Sequence, residues 1–379
     1  MLAVTLDIRE ASLDDVSSSV DSLRRCTRCV LPETMPFIEF DEDGVCNFCQ
    51  NYRKMEVGGE VALEEAVCKY RGKSGEPDCI ATFSGGRDSS YGLHYIKNVL
   101  KMNPIAFTYD WGMTTDLAYR NQSKMCQKLG VEQKIVLSDI KKKRENVRNN
   151  INAWLRRPDL GMVPLFMAGD KQYFYHANRL GKEMDIKLIF LFESPYEKTD
   201  FKSGFCGIRP QHGRMSVYSL PMVGKLRLAA YYAQQFLLNP AYLNTSLLNT
   251  LGGYISYYLI EHNYLSLYQY IKWDEEEIIS TLRREYDWEI ANDTNSTWRI
   301  GDGTASFYNF IYYIIAGFTE NDTFRSNQIR EGIISRVQAL PLVREENKLR
   351  HDSFKWYCDT IGIDFEDTIK KITAISTLY

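Results

Sequence analysis

Four places in this 379-residue chain combine residue types at spacings that could do chemistry. The first is Ser84-Gly85-Gly86-Arg87-Asp88-Ser89-Ser90, which follows a short apolar run, Cys79–Phe83. Two glycines let the backbone turn sharply and come close to a ligand. Serine hydroxyls and the free amides of a helix starting there suit a phosphate group. Gly-Gly alone marks only a turn. The flanking serines, Asp88 and the strand-to-helix setting are what point to an anion site. Asp88 is the expected ligand for a metal or for a phosphate-bound water.

The second place is the cysteine quartet Cys26, Cys29, Cys46 and Cys49, spaced C-x2-C-x16-C-x2-C. Each CxxC can close a knuckle whose two sulfurs face one ion. The segment between suits a hairpin, with Asp43-Gly44 as its turn. Four thiolates complete a tetrahedral shell, so the expected metal is structural Zn²⁺ rather than an open catalytic ion. An iron–sulfur cluster is the alternative. The other cysteines, at 68, 79, 126, 206 and 358, are scattered, which argues against a disulfide framework.

Third, Glu193 and Glu197 follow the apolar segment Lys187–Leu191. Acidic groups at a strand's carboxyl end are badly placed for packing and well placed for a ligand. They are expected to bind Mg²⁺ or orient an incoming amine. Lys171 is expected to open a helix and reach a phosphate, with a solvated lysine as the alternative. Lys198, Lys202 and Arg209 are candidates for an anionic substrate. Tyr109 and Asp110 close the next strand and are candidates for the nucleotide site.

The fourth place is late in the chain. Ser296–Thr304 is a polar, Gly-rich turn in which Arg299 could meet a second anion. Farther on, Arg325, Ser326, Arg330 and Arg336 fall among small residues, and guanidinium forks suit phosphate or carboxylate. A salt-bridged helix surface is the competing expectation for that segment.

Elements must position these groups. From Asp78 the pattern alternates: strand Cys79–Phe83, helix Ser89–Lys101, strand Ile105–Tyr109, helix Leu117–Leu129, strand Lys134–Val136, helix Lys141–Arg156, helix Asp170–Leu180 and strand Lys187–Phe192. This predicts an α/β fold with a doubly wound parallel sheet and right-handed crossovers. The expected parts are an N-terminal extension (1–25), a four-cysteine zinc-ribbon-like module with a linker helix (26–75), an α/β domain (76–215) and a mostly helical C-terminal region (216–379). Tyrosines around 254–258 and 268–270 are expected in a core or interface.

Composition sets bounds. Charged residues at 25% and apolar residues at 44% describe an ordinary globular chain. A net charge of -3 argues against a broad nucleic-acid surface. With Asp7, Glu10, Asp14 and Asp15 and no long apolar block near the N-terminus, no signal peptide is expected, and the apolar stretch Phe307–Phe318 is too short to span a bilayer. The expectation is a cytoplasmic protein with no membrane partner.

The strand–SGGRDSS–helix arrangement resembles the PP-loop of the ATP pyrophosphatase superfamily, of adenine nucleotide alpha hydrolase-like fold. With the cysteine quartet ahead of it, and the FESPYEKTDFKSGFCG and SNQIREGIISR stretches behind, the chain resembles the N-acetyl sugar amidotransferases of surface-polysaccharide (lipopolysaccharide) synthesis. The resemblance implies an AMP-forming ligase using ATP and Mg²⁺. It implies that Ser84, Gly85, Gly86, Asp88, Ser89 and Ser90 hold the nucleotide, Glu193 and Glu197 serve catalysis, and Ser326 and Arg336 meet substrate. Arg87 stands where the superfamily often has Lys. The implied substrate is a nucleotide-linked sugar, and the implied partner is a separate ammonia-supplying glutaminase.

Two other functions remain open at this stage. A PP-loop sulfurtransferase, acting on tRNA or a small molecule, would use Cys126 and Cys206 as sulfur carriers. A non-catalytic zinc-ribbon scaffold would bind nucleotide without cleaving it.

Overall fold

The computed structural model describes residues 13–72, 75–210 and 220–379. Residues 1–12 of the expected N-terminal extension, Lys73-Ser74 of the linker and the boundary near 215 therefore lie outside the described residues.

Five strands form one parallel sheet: β1 (Cys79–Thr82), β2 (Pro104–Asp110), β3 (Gln133–Leu137), β4 (Ile189–Leu191) and β5 (Leu265–Ser266). Their order is β3-β2-β1-β4-β5. Every neighbouring pair is parallel, with Ile80 beside Ile105 on one flank and beside Ile189 on the other. The chain lays down β1, β2 and β3 in one direction and then returns to place β4 against β1. That reversal is the topological switch point, outside which ligands bind in such sheets.

Alternating side chains separate two cores. Ile80, Ile105, Phe107 and Ile189 join a cluster with Val147, Ile151 and Trp154 of helix Ile140–Arg156. Cys79, Ala81, Ala106 and Phe190 face the other way, toward Leu93, Met125 and the Ile278 and Leu282 side chains of helix Glu275–Tyr286. The sheet is therefore covered on both faces, as its near-continuous apolar strands require. Each large side chain fully buried there contributes about 1.5–3 kcal/mol.

The structure corrects three expectations. Part of the polar N-terminal stretch is a helix, Leu13–Asp21, because Val16, Val20 and Leu23 recur at helical spacing and bury against the first core. The helix after β1 starts earlier, at Arg87, and runs through His94 into a wider turn at Tyr95–Val99. β5 lies inside the region expected to be helical. With two residues, it is too short to show a period of its own.

Beyond β5 the chain is helical, with Ala305–Ala316, Glu320–Glu331, Arg336–Glu346, His351–Ile361 and Phe365–Thr373 following in turn. Among the described residues no helix is long and apolar enough to cross a membrane.

Candidate active site and metal centre

β1 ends at Thr82, and the chain must then reverse tightly into the helix that begins at Arg87. Gly85 makes the reversal with φ +77, and a Cβ placed there would lie 2.6 Å from the Ala118 carbonyl oxygen. The turn braces itself: the Ser84 and Ser89 hydroxyls are 3.0 Å apart, and the Gly86 amide donates to Ser84 Oγ at 3.3 Å. From outside, Trp288 Nε1 donates to the Gly85 carbonyl at 3.2 Å, and Gln122 Nε2 to that of Ser84 at 3.0 Å. Gly85→Ala should cost about 2–5 kcal/mol, from backbone strain plus overpacking. Urea unfolding checks this, and an unchanged midpoint would refute it.

A cavity of about 480 Å³ opens at the carboxyl ends of the strands, lined by Thr82, Ser84, Gly86, Thr108, Tyr109, Leu191 and Glu193 among others. That size is ordinary for a small-molecule site. Ser84, Gly86, Asp88 and Ser89 form one wall, with Lys171, Glu197, Lys198, Lys202, Arg299 and Asp302 also lining it. The sequence thus brings its first and third groups of candidates together. The Phe192 ring packs on the bare Cα of Gly92, where a Cβ would come within 2.0 Å of it, so the end of β4 and the loop's helix approach closely.

Glu193 is exposed toward the cavity space, yet the protein encloses it enough that burial raises its pKa, against the pull of Lys171 and Arg299. Its carboxylate has no direct hydrogen bond or ion pair among the described residues. Glu197 is more enclosed. Burial pushes it up to about 7, with Asp88 adding to the rise and Arg299, Arg87 and the Trp298 Nε1 donor opposing it. Lys171 is paired with Asp170 at 3.1 Å and lies over the Tyr257 ring.

Lys202 donates to Glu320 Oε1 at 2.5 Å, and Arg299 Nε lies 3.0 Å from Glu320 Oε2. The two sides of this pair shift for different reasons. Burial pulls Lys202 down to about 8 against the attraction of Glu320, and the neighbouring Arg299 charge adds to the fall. Burial would raise Glu320, but Arg299, Lys202 and the Tyr308 hydroxyl outweigh it and hold its pKa at about 2. Glu320 is thus the firmly ionised member, and Lys202 is a cation close to neutrality.

Several expected site residues have their polar groups engaged by the protein itself, and Asp110 and Ser90 do not line the cavity. Arg87 is only 2% exposed; it binds Asp88 at 3.1 Å, Glu275 at 2.9 Å and Thr297 at 2.9 Å, leaving little of its fork for a phosphate. Burial opposes its charge, and the Asp88 and Glu275 carboxylates more than restore it. Asp88 does line the cavity, but Arg87 and Trp273 Nε1 already engage its carboxylate. Asp110 holds the loop after β2 by accepting from the Gly112 amide at 2.8 Å and the Tyr119 hydroxyl at 2.5 Å. Ser90 is fully buried beneath the turn and does not line the cavity. Tyr109 does line it, donating to Gln172 and stacking on His176. Tyr254, Tyr257 and Tyr258, expected in a core or interface, also line it.

The late arginine segment has another role. Arg325 spends its guanidinium on Glu275 at 2.7 Å and on Glu346. Ser326 Oγ accepts from the Val30 amide at 3.3 Å. Arg336 Nε donates to the carbonyls of Cys26 at 3.0 Å and Cys29 at 2.9 Å. Ser326 and Arg336 thus seat the cysteine module, and Arg325 is held by the carboxylates of Glu275 and Glu346. Arg330, expected to meet an anion, instead donates to cysteine sulfurs. Asp302 and Glu320 were not singled out from the sequence as site residues. The Thr319–Asp322 capping pattern beside it was the one weak sequence signal for Glu320.

In the module itself, all four sulfurs lie within 4.8 Å of one another and are buried. Cys26 and Cys49 are 3.9 Å apart, and Cys29 and Cys46 3.8 Å. Those separations are far too long for disulfides. They match a tetrahedron built on bonds of about 2.3 Å, as around zinc, and leave room for a single ion rather than a multi-iron cluster. Amides of Arg28, Cys29 and Cys46 point at Cys26 Sγ at 3.2–3.4 Å, and Arg330 donates to Cys29 and Cys49. Such donors favour thiolates. Gly44, with φ +76, makes the expected turn, and Phe40 bridges Cys46 across it.

Comparison with known proteins finds no matching family model and no matching curated relative.

Proposed function

We propose that this chain is an ATP-dependent, AMP-forming amidotransferase of PP-loop type, acting on an acetamido group of a nucleotide-linked sugar. The observation that supports this best is one cavity at the switch point, shared by the Ser84–Ser89 turn and by two carboxyls whose pKa burial raises, Glu193 and Glu197. In this reading the turn's amides and hydroxyls, with Lys171, hold the phosphates. Glu193, with no hydrogen bond or ion pair of its own among the described residues, is the carboxylate free to hold Mg²⁺, one of the roles expected for it and for Asp88.

An amide carbon is a poor electrophile because its nitrogen donates into it. Attack of the amide oxygen on the α-phosphorus forms an O–P bond and expels pyrophosphate. Ammonia then adds to the carbon, and the C–O bond breaks to release AMP, leaving an amidine. Ammonia sheds a proton on the way, and Glu197 is tuned near neutrality to take it. Enclosure of both reactants supplies proximity.

With ATP, Mg²⁺, ammonium and acetamido nucleotide sugars, the expected products are AMP, pyrophosphate and a sugar about one mass unit lighter, as O-to-NH exchange requires. Formation of ADP alone, or no consumption of ATP, would refute the proposal. Binding of ATP without release of AMP would favour the scaffold. Glu197→Gln should remove the inflection near pH 7 from the rate profile; an unchanged inflection would assign it to another group.

Sulfur transfer has one observation in its favour: Cys206 lines the cavity. Burial pushes its thiol up, away from the thiolate needed for attack. Cys126 packs in the second core, away from it. Cys206→Ser should keep ammonia-dependent turnover.

A further inference from the structure

We infer that the four-cysteine centre fixes the position of the Tyr196–Lys198 turn through two buried side chains, Arg330 and Asn327. Both belong to helix Glu320–Glu331. Arg330 donates from Nε to Cys49 Sγ and from Nη2 to Cys29 Sγ, each at 3.3 Å. Its Nη1 donates to Asn327 Oδ1 at 2.8 Å. Asn327 in turn donates from Nδ2 to the carbonyl of Tyr196 at 2.9 Å. That carbonyl also accepts the Lys198 amide at 3.0 Å, and the residue between is Glu197.

The connection is directional. A guanidinium is a rigid planar fork. Two of its nitrogens on two sulfurs fix its plane, and so fix where the third points. Arg330 and Asn327 are 5% and 3% exposed, so water does not compete for these bonds. A second contact runs beside the first. Tyr52, just past Cys49, donates to Glu331 Oε1 at 2.6 Å, and the Lys198 ammonium lies over its ring at 5.8 Å. A bound ion ties the knuckle that carries Cys29 to the one that carries Cys49. Without it, the two sulfurs that aim Arg330 move independently, and the turn loses its support. Arg330 and Asn327 are positioning residues. The turn's part in catalysis rests on the amidotransferase proposal; the coupling does not.

The test is amide hydrogen exchange on the full chain loaded with zinc. Asn327→Asp keeps the acceptor for Arg330 and removes the donor to Tyr196. It should retain one metal per chain and exchange the Lys198 amide at least tenfold faster, with helix Ala305–Ala316 unchanged. The Glu197 titration midpoint, read by NMR of labelled glutamate, should move as well. Chelating the wild-type protein should produce the same local acceleration, and this arm decides the matter alone where Asn327→Asp does not fold. Unchanged exchange at Lys198 in either arm overturns the inference. So does opening of the whole chain in step with metal loss. Faster local exchange in a protein that never consumes ATP supports the coupling and counts against the amidotransferase proposal only.

Discussion

Glu320→Ala is expected to destabilise the fold by about 3–5 kcal/mol, the cost of stripping the counter-charge from buried cations. Glu320 is fully buried and serves Lys202, Arg299 and the Tyr308 hydroxyl at once. Arg299 retains Glu197 at 3.5 Å, but Lys202 keeps no other ion pair among the described residues. The same group predicts a pH dependence. Its folded pKa is about 2, below the ordinary 4.5. A depressed carboxyl contributes stability that is complete above the unfolded pKa and is lost as pH falls through the folded one. About 3 kcal/mol should therefore disappear between pH 5 and pH 2. Chemical unfolding of wild type and Glu320→Gln across that window checks both statements. Parallel curves for the two proteins would refute them.

Stripping the metal should lower the thermal midpoint by about 5–10 °C, since an ion held at a thousandfold above its dissociation constant supplies about 4 kcal/mol. The four cysteines belong to the same core as Ile105, Phe107 and Trp154, so the loss is not confined to a detached module. The sheet retains its own two-sided packing, so its strands should stay protected at 25 °C while the knuckles open. Calorimetry with and without chelator, followed by zinc add-back, measures the effect. A midpoint indifferent to chelation would show that the thiols stand without an ion.

What could be read from the chain beforehand follows from the range of the forces involved. Strands β1 to β4 and the turn at 84–90 were legible because their signals are local: an apolar run, two glycines, a helical stripe. The cysteine quartet was legible for the same reason, being spaced within one hairpin. Arg325 and Arg336 were misjudged because a guanidinium serves a substrate and a buried carboxylate or carbonyl equally well. Only tertiary placement showed Glu346 beside the first and the Cys26 and Cys29 carbonyls beside the second. Asp110 failed similarly: a strand-end acid faced its own loop. β5 and Glu320 carried almost no local signal: β5 exists only by pairing with β4, Leu265 beside Phe190, and Glu320 is set by Lys202, 118 residues away.

The seat of the knuckles has a bearing on biogenesis. Cys29 is made early, whereas Arg330, its partner, lies 301 residues later. At about 5–20 residues per second, roughly 15–60 s of translation separate them. Throughout that interval the thiols must survive without their seat, open to oxidants and to wrong metals. Recombinant yield should accordingly follow zinc supply and reducing strength during synthesis more than conditions applied after release from the ribosome.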